Sequence, residues 1–133
     1  MSVVTGIDAQ HVGEVKGSLA QFGRRYSKQL FTQAEIRCAE ERGHDAASWL
    51  AGCFAAKEAV LKILEANDLG GAWTSIEVRQ DKSGRHGIAL SGAVADVARG
   101  QGLGSLCLSV AVAGDVATAV VMAEVATHLG SGS

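Results

Sequence analysis

The chain has 133 residues, of which 47% are hydrophobic and 20% are charged, and its formal net charge is -2. This length suits one compact core, and the composition is that of a globular protein rather than of a disordered one. Because a nearly neutral chain has no overall basic field, the charge argues against binding of nucleic acid or of an anionic membrane.

We predict one domain over residues 1–129, followed by a flexible tail of glycine and serine over residues 130–133. The longest apolar stretches, residues 106–113 and 116–123, are too short to span a bilayer. The N-terminus lacks the basic and then apolar order of a signal peptide, so we expect a cytoplasmic protein. The three cysteines have neither disulfide nor zinc spacing, and we interpret them as reduced and mostly buried.

The first third of the chain predicts a strand and then helices. The β-branched residues within positions 3–12 predict the strand, in which Gly6 permits close approach of a neighbouring backbone. Residues 14–30 are weakly helical. Thr32 precedes Glu35 by the spacing of a capping box, which predicts that a helix begins there.

The strongest helical pattern covers residues 45–66. Apolar residues recur along it at steps of three and four, as expected for one buried stripe: Trp49, Cys53, Ala56, Val60 and Ile63. On a helical wheel, Glu58 lies opposite this stripe, beside Lys62 and on the same side as Ala51 and Ala55. A face of such small residues predicts that another backbone packs closely against it.

The second half of the chain alternates with a period of two residues, which predicts two hairpins separated by a short helix over residues 93–99. The predicted strands cover residues 76–78, 88–90, 106–112 and 116–125. Helices grouped before hairpins favour the α+β class, with an antiparallel sheet packed on a long central helix.

Asp8 on the first strand and Glu58 on the central helix are the candidate metal ligands. Magnesium prefers carboxylate, phosphate and water oxygens, so two acidic residues from different elements are a minimal protein contribution to a magnesium–pyrophosphate site. Spacing alone leaves other interpretations open: Glu58 and Lys62 form an ordinary helix-surface pair, and Asp8 caps the strand. Lys57 lies on an apolar side of the wheel, where a subunit seam, a ligand phosphate or a partly exposed helix edge would explain it.

Four segments, in this order, resemble the motifs of holo-acyl-carrier-protein synthases. They are Gly6-Ile7-Asp8, Phe31-Thr32-Gln33-Ala34-Glu35, the run from Leu50 to Ala59, and Ile76-Glu77-Val78 before the Gly84 turn. The similarity spans nearly the whole chain, and the run Phe54-Ala55-Ala56-Lys57-Glu58-Ala59 is its most specific part. The resemblance implies the 4'-phosphopantetheinyl transferase fold, usually as a homotrimer with its sites between protomers.

The resemblance also implies transfer of the 4'-phosphopantetheine arm of coenzyme A to a serine of an apo acyl carrier protein, with Mg²⁺ as cofactor. By that similarity Asp8 and Glu58 hold the metal, and Glu58 helps to deprotonate the serine directly or through water. Lys62 contacts phosphate or assists the leaving group, and Lys57 and Ser109 bind the coenzyme.

Several positions depart from the family pattern. The penultimate strand has Ala111-Val112-Ala113 where the family usually carries a Ser-His or Thr-His pair. Cys53 stands where Arg is common, Glu14 where a basic residue is common, and His86 where Pro is usual. Loss of Arg removes a phosphate donor, and Glu14 repels an acidic carrier protein. His86 is either an added catalytic imidazole or an exposed turn residue.

These departures predict a weakened transferase. The alternative is a repurposed scaffold without coenzyme A chemistry, which serves as a binding protein or as an enzyme on another substrate.

Overall fold

The computed structural model describes residues 2–65 and 68–126, and the tail predicted over residues 130–133 lies outside them. The strands are β1 (Ser2–His11), β2 (Ile76–Gln80), β3 (His86–Leu90), β4 (Cys107–Ala113) and β5 (Val116–Val125). The helices are α1 (Val12–Phe22), α2 (Arg24–Leu30), α3 (Gln33–Arg42), α4 (Ala46–Ile63) and α5 (Gly92–Gly100). The predicted α+β class is confirmed.

The five strands form one antiparallel sheet in the order β1-β5-β4-β3-β2. β1 and β5 pair along their whole length, whereas within the described residues β3 and β4 are in register only at Gly87 and Cys107. Beyond this pair, towards the C-terminal end of β4, the two strands separate.

Helix α4 packs on the inner face of the sheet, and its closest approach is to β1. A Cβ atom added at Gly6 would collide with the carbonyl oxygen of Ala59, so the absence of a side chain at Gly6 permits this contact. Ala51 and Ala55 are fully buried on the same helix. The predicted close packing of a backbone against small residues of this helix is confirmed.

Two apolar clusters hold the two ends of α4. The first centres on Phe31, Trp49 and Leu50. The second centres on Val60, Ile76 and Val94. Because each large apolar side chain contributes roughly 1.5–3 kcal/mol when it is fully buried, these clusters account for much of the stability that fixes α4 on the sheet.

The local predictions are confirmed with small differences. Both hydrogen bonds of the capping box are present, from Glu35 N to Thr32 Oγ1 and from Thr32 N to Glu35 Oε1. Residues 14–30 are more helical than predicted, since they belong to two helices, α1 and α2. Gly23 separates these helices, and its φ of 54° is a backbone conformation that glycine adopts readily. Helix α4 ends at Ile63, and residue 66, its predicted end, lies outside the described residues. None of the helices described is both long enough and apolar enough to cross a membrane.

Candidate functional site

Asp8 lies two residues after Gly6 and so shares the face of β1 that packs against α4. Its Oδ1 accepts a hydrogen bond from Lys62 Nζ at 3.0 Å, and its Oδ2 accepts one from Gln10 Nε2 at 2.7 Å. Lys62 Nζ also donates to the carbonyl oxygen of Ile7 at 2.9 Å. The Asp8 side chain is only 16% exposed, while that of Lys62 is 56% exposed. The carboxylate is therefore held in a partly shielded position at the edge of α4.

Glu58 precedes Lys62 by one turn of α4, so both side chains project from one face of the helix. Within the described residues, Lys62 forms its ion pair with Asp8 rather than with Glu58. The alternative of an ordinary surface pair along the helix is therefore wrong for Lys62. Glu58 is half-buried. The structure thus brings Asp8 and Lys62 into contact at the junction of β1 and α4, and Glu58 lies on the helix face that carries Lys62.

The donor chemistry of this junction fits a hard divalent cation. Asp8 and Glu58 supply carboxylate oxygens from two packed elements, and Asp8 already lies beside the positive charge of Lys62. The described part of the chain contains no group of three or more His, Cys, Asp or Glu side chains that could hold a metal ion. Two carboxylates suit Mg²⁺ in particular, because Mg²⁺ commonly completes its shell with water and substrate phosphate oxygens.

Lys57 lies in surroundings that differ from every predicted one. Its side chain is fully buried, forms an ion pair with Glu35 Oε1 at 2.8 Å, and donates to the carbonyl oxygens of Trp73 and Ile76. A subunit seam and a partly exposed helix edge are both wrong, since no part of this side chain reaches the surface. Because an ammonium group has three protons to donate, these contacts occupy it fully. They favour a structural role over the predicted contact with the coenzyme.

Ser109 is exposed on the outer face of β4, whereas its neighbours Leu108 and Val110 pack on the core. It therefore lies on the other side of the sheet from Asp8 and α4 of the same chain. Contact between Ser109 and a coenzyme held by Asp8 would require a second copy of the chain.

A cavity of about 340 Å³ opens beside the N-terminal half of α4, where β3 and β4 separate. Its walls include three of the positions at which the sequence departs from the family pattern, namely Cys53, His86 and Val112. Val110, Trp49 and Arg42 also line it. The fourth departure, Glu14, is exposed on α1.

Arg42, Trp49 and His86 form a stack along one wall of this cavity. The guanidinium carbon of Arg42 lies 4.3 Å from the centroid of the Trp49 ring, and that ring stacks on His86 with centroids 6.2 Å apart. Arg42 also donates to Gln80 Oε1. Burial, and secondarily the charge of Arg42, lower the pKa of His86 and so favour the neutral imidazole. His86 is therefore a half-buried strand residue in the cavity wall rather than a freely exposed turn residue.

Sequence reasoning missed Arg42 as a site residue. Arg42 is the last residue of α3 and Trp49 lies in the first turns of α4, and no periodicity relates them to His86 on β3. The available signal was limited to the presence of an Arg at a helix C-terminus, which also has an ordinary explanation in the helix dipole.

The three cysteines differ in exposure: Cys53 is buried, Cys38 is half-buried and Cys107 is exposed. The prediction of mostly buried thiols is therefore wrong for Cys107, which lies on the outer face of β4. Burial, and secondarily the charge of Glu35, raise the pKa of the Cys53 thiol well above its usual value. Cys53 is thus a neutral, apolar part of the cavity wall.

The fold and the carboxylate pair at its β1–α4 junction define a class of small α+β proteins, and comparisons with known proteins identify it. The family model of the 4'-phosphopantetheinyl transferase superfamily matches residues 5–120. The holo-[acyl-carrier-protein] synthase of Koribacter versatilis is 35% identical over 125 residues, which are 93% of this chain and 99% of that protein. That of Desulforudis audaxviator is 35% identical over 118 residues, 89% of each chain.

Solved structures give the same result. The coenzyme A complex of the synthase from Chronobacterium ammoniagenes superposes with a TM-score of 0.82 at 30% identity, covering 96% of this chain and all of that one. The synthase from Neisseria meningitidis gives a TM-score of 0.80 at 25% identity, covering 90% of this chain and 96% of that one. This chain belongs to the 4'-phosphopantetheinyl transferase superfamily.

Proposed function

We propose that this chain is a magnesium-dependent holo-acyl-carrier-protein synthase. It transfers 4'-phosphopantetheine from coenzyme A to a serine of an apo acyl carrier protein, in the cytoplasm. The observation that carries the proposal is the contact between Lys62 and Asp8, because it brings both charged groups to the face of α4 that presents Glu58. The names of the relatives and the coenzyme A complex of a 30% identical structure support the same reaction.

In this reaction the serine hydroxyl oxygen forms a bond to the phosphorus of the phosphopantetheine arm, and the bond from that phosphorus to 3',5'-ADP breaks. Glu58 accepts the serine proton, directly or through a water molecule. Lys62 is 56% exposed and neutralises charge on the phosphate oxygens of the departing ADP. Asp8 and Glu58 would hold Mg²⁺, which when bound supplies positive charge to the pyrophosphate.

The cavity is the proposed site for the nucleotide end of coenzyme A. Trp49 and His86 offer flat rings to an adenine base, and Arg42 offers a guanidinium to a phosphate. Arg42 thereby supplies a cation in the cavity that Cys53 lines. Because the cavity is not purely apolar, it gives little support to the alternative of a scaffold that has lost coenzyme A chemistry.

The carboxylate pair and the cavity lie on different sides of α4. Glu58 and Cys53 are five residues apart and therefore point about 140° away from each other around the helix. On the sheet below, Asp8 is opposite Ala119, and Ala119 is opposite Val110 in the cavity wall. Two strand spacings of roughly 5 Å thus separate Asp8 from Val110. A coenzyme contacts both places most directly when a second copy of the chain brings its cavity to the first copy's carboxylates.

The outer face of the sheet supports this assembly. Val3 and Ile7 on β1 and Met122 on β5 are 54%, 60% and 45% exposed, although all three are large and apolar. Adjacent exposed apolar side chains typically mark a protein interface. We propose that this face joins the subunits of a homotrimer and brings Ser109 towards a neighbouring active site.

Mass spectrometry of an apo carrier protein incubated with coenzyme A and Mg²⁺ tests the proposal. We expect the mass to increase by one phosphopantetheine group, and Glu58→Gln to slow the reaction by about 10²–10⁴-fold because it removes a base and a metal ligand. Glu65→Gln is the matched control, since Glu65 is exposed beyond the end of α4 and should leave the rate unchanged. Unmodified carrier protein across a panel of substrates would contradict the proposal, as would equal coenzyme A binding with and without Mg²⁺.

A further inference from the structure

The buried pair of Glu35 and Lys57 joins three parts of the fold next to Glu58. Besides binding Lys57, the Glu35 carboxylate accepts hydrogen bonds from Thr32 N at 2.9 Å and from Val78 N at 2.7 Å. Both side chains of the pair are completely inaccessible to solvent. The pair therefore connects α4 to the first turn of α3, to β2 and to the turn that precedes β2.

Stability alone does not account for this arrangement. Removing two charges from water costs several kcal/mol per ion, and replacing a buried ion pair with apolar residues of similar volume is often neutral or stabilising. Two apolar side chains could fill the space that Glu35 and Lys57 occupy, but they would not fix the rotation of α4 about its axis. Hydrogen bonds of Lys57 to the carbonyl oxygens of Trp73 and Ile76 fix the side-chain direction in a way that apolar contacts do not.

Lys57 and Ala59 hold α4 on either side of Glu58. Lys57 is fixed to α3 and β2 through Glu35, whereas Ala59 rests against Gly6 of β1. A helix with side chains is about 10–12 Å wide, so a rotation of about 10° about its axis moves a surface carboxylate by roughly 1 Å. A displacement of that size can reduce a reaction rate by as much as about 10²-fold.

We propose that Glu35 and Lys57 are positioning residues, which fix the rotation of α4 so that the Glu58 carboxylate stays on the side of Asp8. The assignment rests on the proposed function of Asp8 and Glu58 as metal ligands. Neither Glu35 nor Lys57 touches substrate or metal in it. The pair acts through the helix backbone, from the residue that directly precedes Glu58.

A comparison of single and double variants separates positioning from stability. Lys57→Met alone leaves the Glu35 carboxylate buried without its cation and should lower the urea midpoint of unfolding. Glu35→Leu combined with Lys57→Met removes both charges and should recover part of the lost midpoint. Recovery stays incomplete because backbone groups that the pair satisfies, such as Val78 N, lose their partners. We expect the double variant to bind Mn²⁺, measured by electron paramagnetic resonance with coenzyme A present, about 10-fold or more weakly than the unaltered protein. We also expect its kcat to fall by about 10-fold or more, because the Glu58 carboxylate would be displaced from its position.

The exposed ion pair of Asp96 and Arg99 on α5 provides the matched control. Asp96→Asn with Arg99→Gln also removes an ion pair and should leave Mn²⁺ binding and kcat unchanged. If the double variant of the buried pair does not fold, Glu35→Gln keeps the shape of the side chain and should still weaken Mn²⁺ binding several-fold.

A folded variant of the buried pair with unaltered Mn²⁺ binding and kcat would overturn the positioning role and leave the proposed function intact. Absence of Mn²⁺ binding by the unaltered protein would overturn the proposed function and the positioning role with it.

Discussion

Lys62 forms an ion pair with Asp8, and the proposed function requires the same ammonium group to reach a substrate phosphate. Its ion pair with Asp8 is worth at most about 1 kcal/mol, because the ammonium group is more than half exposed to water. Exchanging the Asp8 carboxylate for a substrate phosphate therefore costs little. Lys57, five residues earlier on the same helix, is the opposite case, since its buried charge cannot leave Glu35 without a large penalty.

His86 should make the stability of the protein depend on pH. Its folded-state pKa lies below the ordinary value of 6.5, so on acidification the unfolded state takes up the proton first. The contribution of His86 to the free energy of unfolding should therefore be fully present above about pH 6.5 and should decrease as the pH is lowered from there. His86→Phe keeps an aromatic ring beside Trp49. We expect its free energy of unfolding, measured by urea denaturation, to decrease less between pH 7 and pH 5 than that of the unaltered protein.

The control for this measurement is His44→Gln. The His44 side chain is 94% exposed, so its replacement should leave the pH profile as it is in the unaltered protein. Parallel profiles for His86→Phe and the unaltered protein would show that the burial of His86 has no effect on stability.

At the scale of elements, the contact between β1 and α4 sets the position of Asp8 relative to Glu58. Asp8 lies two residues after Gly6 on β1, and Glu58 directly precedes Ala59 on α4. Because Gly6 and Ala59 are in direct backbone contact, the separation of the elements at this point also sets the distance between the acidic side chains. The absence of a side chain at Gly6 thus affects the positions of both candidate metal ligands.

Gly6→Ala should weaken both the fold and the reaction. The new methyl group would collide with the carbonyl oxygen of Ala59 and push β1 away from α4, at a cost of about 1–3 kcal/mol. We expect a lower urea midpoint, and a weaker Mg²⁺ dependence of transfer in the protein that remains folded. Gly17→Ala is the control: no atom from outside the neighbouring turns of α1 lies within 4 Å of the added methyl group, and helix α1 should gain roughly 0.5–1 kcal/mol. Equal stability of the two variants would contradict the packing argument.

At the scale of the whole molecule, the two faces of the sheet have different roles. The inner face is covered by α4 and carries fully buried small residues of β5, such as Ala117 and Ala119. The outer face leaves Ile7 and Met122 exposed to solvent in the single chain. An exposed apolar sheet face is unfavourable for a monomer, and association of copies through this face would cover it.

Ile7→Glu should therefore break the proposed homotrimer into smaller species. A charge in the centre of an apolar interface loses its hydration on assembly, which costs several kcal/mol when no partner is present. Analytical ultracentrifugation should show the change in mass, together with loss of phosphopantetheine transfer at low protein concentration. Phe22→Glu is the matched control, because Phe22 is 52% exposed but lies on α1 rather than on the sheet. An unchanged trimer in Ile7→Glu would exclude this face as the interface.

Asp8 and Glu58 are candidate metal ligands by resemblance to a family, because no spacing relates residues of different elements. The α+β class, the capping box and the two hairpins, by contrast, could be predicted from the sequence pattern. These features depend on short-range periodicity and on motifs that lie within single elements, so they are visible along the chain. Periodicity also placed Glu58 and Lys62 on one helix face. The periodicity does not predict which acidic side chain forms the ion pair with Lys62.

The partners of charged residues from distant elements could be identified only in the folded chain. Lys57 binds Glu35 across 22 positions of the chain and Lys62 binds Asp8 across 54, and the spacing of residues along one helix contains no information about either contact. The stack of Arg42, Trp49 and His86 likewise comes from three elements. A pattern specifies which face of an element is buried, whereas the element that covers this face is decided by the packing of the whole chain.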